Sequence, residues 1–413
     1  MKTEMSGRRL RRSATAVTIA ATTLILAGCG ERPLSTFDAQ SDIAQRLDTF
    51  LVALLIVCGV VFVIVQGMVL YMAKRFSVKQ PDDESMLYPD EEFPEQVHGN
   101  TRLEIGWTIL PTVIMAVVAF FTLGLLFDLD DVDAVPDRRV QSVDVIGQQW
   151  WWEFHYHLDD DGVPDIVTAG EMPLPVGEEV ELRVTSRDVI HSFWIPNLNG
   201  KRDAVPGRWN PWTMEAGTVG RFPGECTEFC GLSHAYMEKW VVGLEPADWD
   251  TWAENQLQDA VVPEEGTPEY EGWQTFANQC ASCHVINGLT SLASGGEEPD
   301  SYAAYASEDV PVRMIDRQTQ VAGIAPNLTH VATRSTFAGG IFELYENPDS
   351  VPYLDLAEEG DLNRGQLEAW IINAPAEKAN FWNSPGGQRG MTPFEALSAE
   401  EVDNLVEFLM SLD

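Results

Sequence analysis

Two thiols, an imidazole and a thioether lie within twelve residues of this chain, as Cys226, Cys230, His234 and Met237. Soft sulfur ligands combined with imidazole are typical of copper sites. An electron-transfer site with one copper uses one thiolate, two imidazoles and a weak axial thioether, whereas two thiolates four residues apart could bridge two copper ions. The second imidazole must come from elsewhere, and His191, which closes a strand-like run, is the candidate. The spacing therefore predicts a dinuclear copper centre.

Two other interpretations of this cluster stay open at this point. A disulfide between Cys226 and Cys230 is chemically reasonable if the segment lies outside the cell. A C-x3-C-x3-H spacing could also hold zinc. Neither interpretation uses the thioether of Met237.

A second redox motif, Cys280-Ala-Ser-Cys283-His284, follows the first cluster. C-x-x-C-H is the attachment signature of a c-type haem, so it predicts one covalently bound haem c with His284 as the proximal ligand. The distal ligand has to be inferred. Met391 lies in a loop just before a capped terminal helix and is the preferred candidate, with Met314 as the alternative.

Two apolar segments are long enough to cross a bilayer. Residues 50–73 and 105–127 contain no Asp, Glu, Lys or Arg, and about 20 apolar residues suffice for a span. Lys74 and Arg75 follow the first segment directly, and positive charge collects on the cytoplasmic side. We therefore predict a hairpin with helices at 49–75 and 104–127, a cytoplasmic loop at 76–103, and everything beyond about residue 128 outside.

The N-terminus resembles a bacterial lipoprotein signal. An Arg-rich start and a short apolar stretch end in Leu26-Ala27-Gly28-Cys29. This layout predicts an export signal at 1–28, because the apolar part is too short for a span. The resemblance implies that Cys29 is lipidated and that 29–48 is an exterior linker. An ordinary cleaved signal is the alternative.

The exterior part divides into two domains. Residues 134–250 contain short β-rich runs with alternating apolar positions, as in Val180, Leu182 and Val184, and predict an all-β Greek-key domain. An acidic, Pro-containing linker is predicted at 251–266. Residues 267–413 turn helical, with Thr267 and Pro268 at a helix start and a capping box beginning at Ser398. They predict a small all-α domain around the haem.

The net charge of the chain limits the classes of partner that it can bind. Lys and Arg number 26 and Asp and Glu 64, for a net charge of −38. Nucleic-acid binding is excluded, because it requires a basic footprint. An acidic face can steer a basic electron donor by long-range attraction. The alternative is general solvation in a salty habitat, where screening weakens self-repulsion.

The copper cluster resembles that of subunit II of the haem–copper cytochrome c oxidases. The shared pattern is Cys-x-Glu-x-Cys-Gly-x-x-His-x-x-Met, preceded by Asp-Val-x-His-Ser-Phe. The resemblance implies a two-helix transmembrane hairpin, a cupredoxin domain and, as in one branch of these subunits, a fused cytochrome c domain. It also implies a CuA centre with two bridging thiolates, one histidine on each copper, and one thioether and one main-chain carbonyl. The implied ligands are Cys226, Cys230, His191, His234, Met237 and the carbonyl of Glu228.

Four further positions acquire roles from this resemblance. Trp150 matches the electron entry point of the family, although an indole in a β-domain is more often part of the core. Glu104 matches the entrance carboxylate of a proton path into subunit I, although a carboxylate at a span end is usually an interfacial charge. The side chain of Glu228 matches a position that reaches a magnesium or manganese ion shared with subunit I, and Asp203 is the neighbouring candidate.

The function implied is that of an electron-input subunit in a bacterial plasma membrane. Its partners would be subunit I, further membrane subunits, and a donor that is either a cytochrome c or a quinol–cytochrome c reductase. One alternative is electron input to a nitric oxide reductase that uses the same copper centre. Another is a copper-handling membrane lipoprotein, against which the C-x-x-C-H motif argues.

Overall fold

The computed structural model describes residues 34–77, 99–130, 139–159, 162, 164–289, 325–382 and 390–413. The predicted signal, Cys29, Met314 and most of the cytoplasmic loop lie outside these residues. Two long helices come first, α1 (Asp42–Arg75) and α2 (Thr101–Asp130). Both are long and apolar enough to cross a membrane, and the most apolar stretch of each has no buried residue. Lipid or neighbouring helices would cover these exposed apolar side chains.

Helix α1 is attached to the domain that follows by its first residues. Ser41 caps the helix by accepting a hydrogen bond from the amide of Ala44 at 2.9 Å, and its hydroxyl donates to the carbonyl of Leu198 at 2.5 Å. The amides of Gln40 and Gly217 donate to the carbonyls of Asn197 and Gln40, both at 2.8 Å. These contacts fix the β-domain at the end of the span.

The β-domain consists of two sheets and a hairpin. The strands are β1 (Ser142–Gln148), β2 (Trp151–His157), β3 (Ile166–Ala169), β4 (Glu171–Pro175), β5 (Glu179–Ser186), β6 (His191–Trp194), β7 (Lys201–Ala204), β8 (Asn210–Glu215), β9 (Gly220–Glu225) and β10 (Glu238–Leu244). One sheet has the strand order β3-β2-β1-β5-β8, the second has the order β4-β10-β9, and β6 pairs with β7.

The alternation that predicted a half-buried strand is visible in β5. Val180, Leu182 and Val184 are buried, while the residues between them are partly exposed. Their side chains enter a core built on Trp152, Phe154 and other apolar residues of both sheets. Burying such side chains stabilises a fold by roughly 1.5–3 kcal/mol each.

The helical domain is reached through α3 (Pro246–Gln256), which buries Trp249 and Trp252. Residues 251–256 of the predicted linker are therefore helical. The domain itself contains α4 (Pro268–Gln279), the short strands β11 (Thr336–Phe337) and β12 (Phe342–Glu343), α5 (Leu356–Glu359), α6 (Arg364–Glu377) and α7 (Ala399–Met410).

Helices α4 and α7 cross closely and form the centre of this domain. Gly272 makes the crossing possible, because a Cβ there would collide with the carbonyl oxygen of Asn404. Trp273 and Phe276 of α4 then pack against Phe408, with ring centroids 5.8 and 5.7 Å apart. The capping box predicted at Ser398 is present. The described residues thus form the two apolar helices, the β-domain and the mainly helical C-terminal domain that the sequence predicts.

Candidate metal centre

The predicted copper ligands converge at one end of the β-domain. The Sγ atoms of Cys226 and Cys230 are 3.9 Å apart, and His191 Nδ1 lies 3.9 Å from the sulfur of Cys226. His234 Nδ1 and Met237 Sδ lie 3.5 and 3.8 Å from the sulfur of Cys230. All but His234 are buried. Ligand atoms at 2.0–2.3 Å from a shared metal lie roughly 3–4 Å apart, so the set fits metal binding.

The two thiols are not joined. A disulfide needs sulfurs about 2.05 Å apart, whereas the two Sγ atoms are 3.9 Å apart and the sulfur of Cys226 lies 3.3 Å from the carbonyl oxygen of Glu228. This carbonyl is the main-chain ligand implied by the sequence resemblance. The structure therefore places the free sulfurs and a main-chain carbonyl oxygen side by side, and all of them could bind a metal.

A hydrogen bond between the two cysteines shifts their pKa values in opposite directions. The hydrogen bond from the Cys230 thiol lowers the pKa of Cys226 well below its ordinary value, against the effect of its burial. The same hydrogen bond and burial raise the pKa of Cys230 far above its ordinary value. A cation bound between the sulfurs would displace the remaining proton, since thiolates are the form that binds metals.

His191 is held in one orientation by a carboxylate that the sequence did not single out. Its Nε2 donates to Asp188 at 2.8 Å, which leaves Nδ1 facing Cys226. Burial lowers the pKa of His191, but the hydrogen bonds with Asp188 and Cys226 raise it overall. Gly147 makes room for the ring, because a Cβ there would lie 2.9 Å from the imidazole. A carboxylate that orients a ligating histidine is typical of metal sites.

Trp150 lies behind residues 226–237, hereafter called the copper loop, and is only 4 % exposed. Its indole N–H donates to the carbonyl of Cys230 at 3.2 Å, and the side chain of Gln149 donates to the same oxygen at 2.5 Å. Phe381 of the helical domain covers the indole, with ring centroids 4.9 Å apart. The predicted entry residue is therefore in contact with the second domain and not with solvent.

The C-x-x-C-H motif lies at the end of α4. The amides of Cys283 and His284 both donate to the carbonyl of Cys280 at 3.0 Å, which closes a tight turn. His284 Nδ1 lies 2.9 Å from the carbonyl of Pro326. A carbonyl only accepts, so Nδ1 carries the hydrogen and Nε2 keeps its lone pair for a metal. Burial lowers the pKa of His284, which keeps it neutral, as an iron ligand must be.

Met391 is half-buried, and its carbonyl accepts a hydrogen bond from the side chain of Asn380 at 2.9 Å. It lies seven residues before Ser398, the cap of α7. The alternative distal ligand, Met314, is outside the described residues. The choice of distal ligand stays a prediction.

Family comparisons assign all three parts of the chain. Residues 32–125 match the transmembrane domain of cytochrome c oxidase subunit II, residues 165–243 match its periplasmic domain, and residues 270–413 match cytochrome c. A cytochrome c oxidase subunit 2 of Alkalihalophilus pseudofirmus is 37% identical over 278 residues, which are 66% of this chain and 77% of that protein. The chain belongs to the cytochrome c oxidase subunit II family.

Two relatives from this family extend over nearly the whole chain. The cytochrome c oxidase subunit 2 of Bacillus sp. PS3 is 29% identical over 404 residues, and that of Bacillus subtilis is 25% identical over 405 residues. In both cases the aligned part is 94% of each chain. A subunit II with a cytochrome c domain works with subunit I in a haem–copper oxidase, and its domains imply copper and haem. The two apolar helices anchor a periplasmic domain to a membrane.

The side chains of three remaining family positions lie outside the buried cluster. The side chains of Glu228 and Asp203 are exposed, and Asp203 pairs with Ser192 between β6 and β7. Glu104 lies in the first turn of α2, where its carboxylate accepts from the amide of Asn100 at 3.2 Å. This contact gives Glu104 a structural role in capping the helix. Its role in a proton path stays a prediction.

Proposed function

We propose that this chain is the electron-input subunit of a terminal cytochrome c oxidase. It takes electrons from a donor and passes them through a haem c and a dinuclear CuA centre to subunit I, which reduces oxygen to water and pumps protons. The observation that carries the proposal is the buried cluster in which ligand atoms of His191, Cys226 and Cys230 lie within 4.8 Å of one another. Residues for both redox centres are thus present in one membrane-anchored chain.

At the copper cluster the protein prepares the ligands. Bound there, two copper ions would supply a one-electron carrier held by Cys226, Cys230, His191, His234, Met237 and the Glu228 carbonyl. Asp188 keeps Nδ1 of His191 directed at the sulfurs. The pair of cysteines gives up its remaining proton on metal binding. A buried, oriented ligand set needs little rearrangement when its charge changes.

At the haem motif the protein supplies attachment and axial ligation. Cys280 and Cys283 would form the thioether links of a haem c, with His284 and Met391 as axial ligands. The carbonyl of Pro326 fixes the tautomer of His284. Thioether ligation raises the potential of a haem relative to a second histidine.

The donor is proposed to meet the helical domain. Trp150 is covered by Phe381, so a soluble protein cannot reach that indole in the docked arrangement. From residue 251 to the C-terminus the chain contains 6 basic and 27 acidic residues. Such a surface favours a basic cytochrome c, or the cytochrome c of a quinol–cytochrome c reductase, as the donor.

The membrane arrangement and the contacts with subunit I complete the proposal. Both soluble domains lie on the exterior face of a bacterial plasma membrane, and a lipid at Cys29 adds a third anchor. Glu228 and Asp203 are exposed, as ligands of a magnesium or manganese ion shared with subunit I must be. Glu104 would pass protons toward subunit I from the cytoplasmic side.

Electron paramagnetic resonance of the copper-loaded full chain tests this function. One unpaired electron shared by two coppers is expected, and a four-line spectrum from a single copper would falsify the dinuclear site. Cys226→Ser should abolish the shared-electron signal, whereas the matched change Cys58→Ser, in the first span, should leave it intact. Met237→Leu should keep the signal and shift the potential, because the axial thioether is a weak ligand.

A further inference from the structure

The residues that follow α6 contact Trp150, which lies behind the copper loop. Lys378 donates from Nζ to the carbonyls of Trp150 and Ala338, both at 2.7 Å. The ring of Phe381 lies 4.9 Å from the indole of Trp150, tilted by 42°. Residues 378–381 are hereafter called the coupling segment.

A second contact joins the coupling segment to the copper loop itself. The hydroxyl of Ser233 donates to the carbonyl of Ala379 at 2.5 Å. Ser233 is completely buried and directly precedes the copper ligand His234. The indole of Trp150 in turn donates to the carbonyl of Cys230. Both ends of the sequence from Cys230 to His234 are therefore linked to the coupling segment.

The same segment also touches the proposed distal ligand of the haem. The side-chain amide of Asn380 donates to the carbonyl of Met391 at 2.9 Å. The neighbouring Gly390 packs so tightly that a Cβ there would lie 2.6 Å from the side chain of Asn380. One stretch of four residues thus contacts both proposed redox centres.

We propose that the coupling segment is the electronic bridge from the haem domain to the copper centre. The path runs from Met391 through its hydrogen bond to Asn380, along the backbone to Phe381, across the ring contact to Trp150, and through the indole hydrogen bond to Cys230. With a haem and copper bound at the two sites, one electron would pass between them along this path, and no bond or proton would be exchanged. The inference rests on the proposed function, in which both centres are loaded.

Lys378 is the positioning residue of this bridge. Its amine is buried between two carbonyls, so it fixes the distance between the coupling segment and the backbone of Trp150. Burial lowers its pKa to about 7, with Glu238 and Cys230 opposing that shift. A buried amine without these two acceptors would be costly, and this cost favours the docked geometry.

Flash reduction of the haem in the full-length, copper- and haem-loaded chain tests the bridge. Phe381→Leu removes the ring that contacts Trp150 and should slow copper reduction severalfold without changing either optical spectrum. Phe342→Leu is the matched control, because Phe342 packs against Phe337 and Trp370 in the same domain and lies off the path. Equal rates in the two variants would overturn the proposal. Asn380→Ala, which removes the bond to Met391, should also slow the transfer.

Hydrogen exchange of the metal-free chain gives a readout that does not depend on electron transfer. Lys378→Met should raise the exchange of amides in residues 228–236 about tenfold, because a charged hydrogen bond is worth more than 1.4 kcal/mol. Unchanged exchange would remove Lys378 as a positioning residue. If the wild-type chain shows no transfer from haem to copper at all, the proposed function fails. If wild-type transfer occurs and Phe381→Leu leaves it unaltered, only the bridge fails.

Discussion

Replacing Glu171 by glutamine is expected to loosen the contact between the two soluble domains. Glu171 lies in β4 of the copper domain and has no exposed surface. One carboxylate oxygen accepts from the hydroxyls of Ser335 and Thr336, both at 2.6 Å. The other accepts from the amide of Ser335 at 3.0 Å and from the hydroxyl of Tyr353 at 2.7 Å. All four hydrogen bonds come from the haem domain.

The size of the effect follows from these four bonds. The glutamine side chain in Glu171→Gln can bond to all four partners in only one orientation. Its NH₂ group must then face the two rotatable hydroxyls, and its oxygen must face the Ser335 amide and the Tyr353 hydroxyl. Every bond then loses the charge of its acceptor, at roughly 0.5–1 kcal/mol each. Arg334, whose pKa burial lowers to about 10 while the Glu171 charge opposes that shift, loses a compensating charge as well. We expect a loss of about 3 kcal/mol, which is roughly a hundredfold in the docking equilibrium.

The amide of Ser335 reports this change directly, because it donates to Glu171. Residue-resolved hydrogen exchange of the metal-free full chain should show roughly hundredfold faster exchange at Ser335 in Glu171→Gln. Amides of the β1–β5 pairing should keep their protection. The control is Glu178→Gln, which alters a partly exposed partner of Arg139. Wild-type exchange at Ser335 in Glu171→Gln would refute the reasoning.

Three further changes have defined outcomes. Gly272→Ala should reduce the stability of the haem domain by roughly 1–3 kcal/mol in urea unfolding, since the new methyl group collides with the backbone of α7; an unaltered midpoint would contradict the tight crossing. Burial lowers the pKa of Lys378 to about 7, below its unfolded value. The unfolded chain therefore binds more protons between pH 7 and about 10, and stability rises with pH by up to about 1.4 kcal/mol per unit. In Lys378→Met this part of the slope should vanish, while the similar contribution of Lys239 remains in both proteins. Glu104→Gln keeps an acceptor for Asn100, so it should slow proton uptake by the reconstituted oxidase with unchanged metal spectra; normal turnover would leave Glu104 as a helix cap.

The copper ligands were predictable because most of them are local in sequence. Cys226, Cys230, His234 and Met237 lie on one short loop, so their spacing largely determines their separation. His191 was predicted to close a strand-like run, whereas it is the first residue of β6. The spans could be predicted from their uninterrupted apolar sequence. Strand β5 could be predicted from its alternation, since burial of one face dictates the order of residue types.

The contacts between domains could not be read from the sequence. Glu171 and Ser335 are 164 residues apart, and Lys378 and Trp150 are 228 apart. An isolated Glu or Lys in an acidic chain normally faces solvent, and no periodicity distinguishes the rare buried one. Asp188 did carry a usable signal, because a carboxylate three residues before a ligating histidine is placed to orient it.

The haem domain is held against the copper domain in a fixed arrangement. The sequence suggested a linker between two acidic domains, and like net charge opposes their association. The structure meets this repulsion with directional contacts: a carboxylate with four donors at Glu171 and an amine with two acceptors at Lys378. Such buried polar groups are satisfied in only one relative orientation, so a shifted domain would leave them without partners. The orientation that satisfies them is also the one that places Phe381 on Trp150. The same contacts that hold the domain therefore keep the ring of Phe381 against the indole that donates to the carbonyl of Cys230.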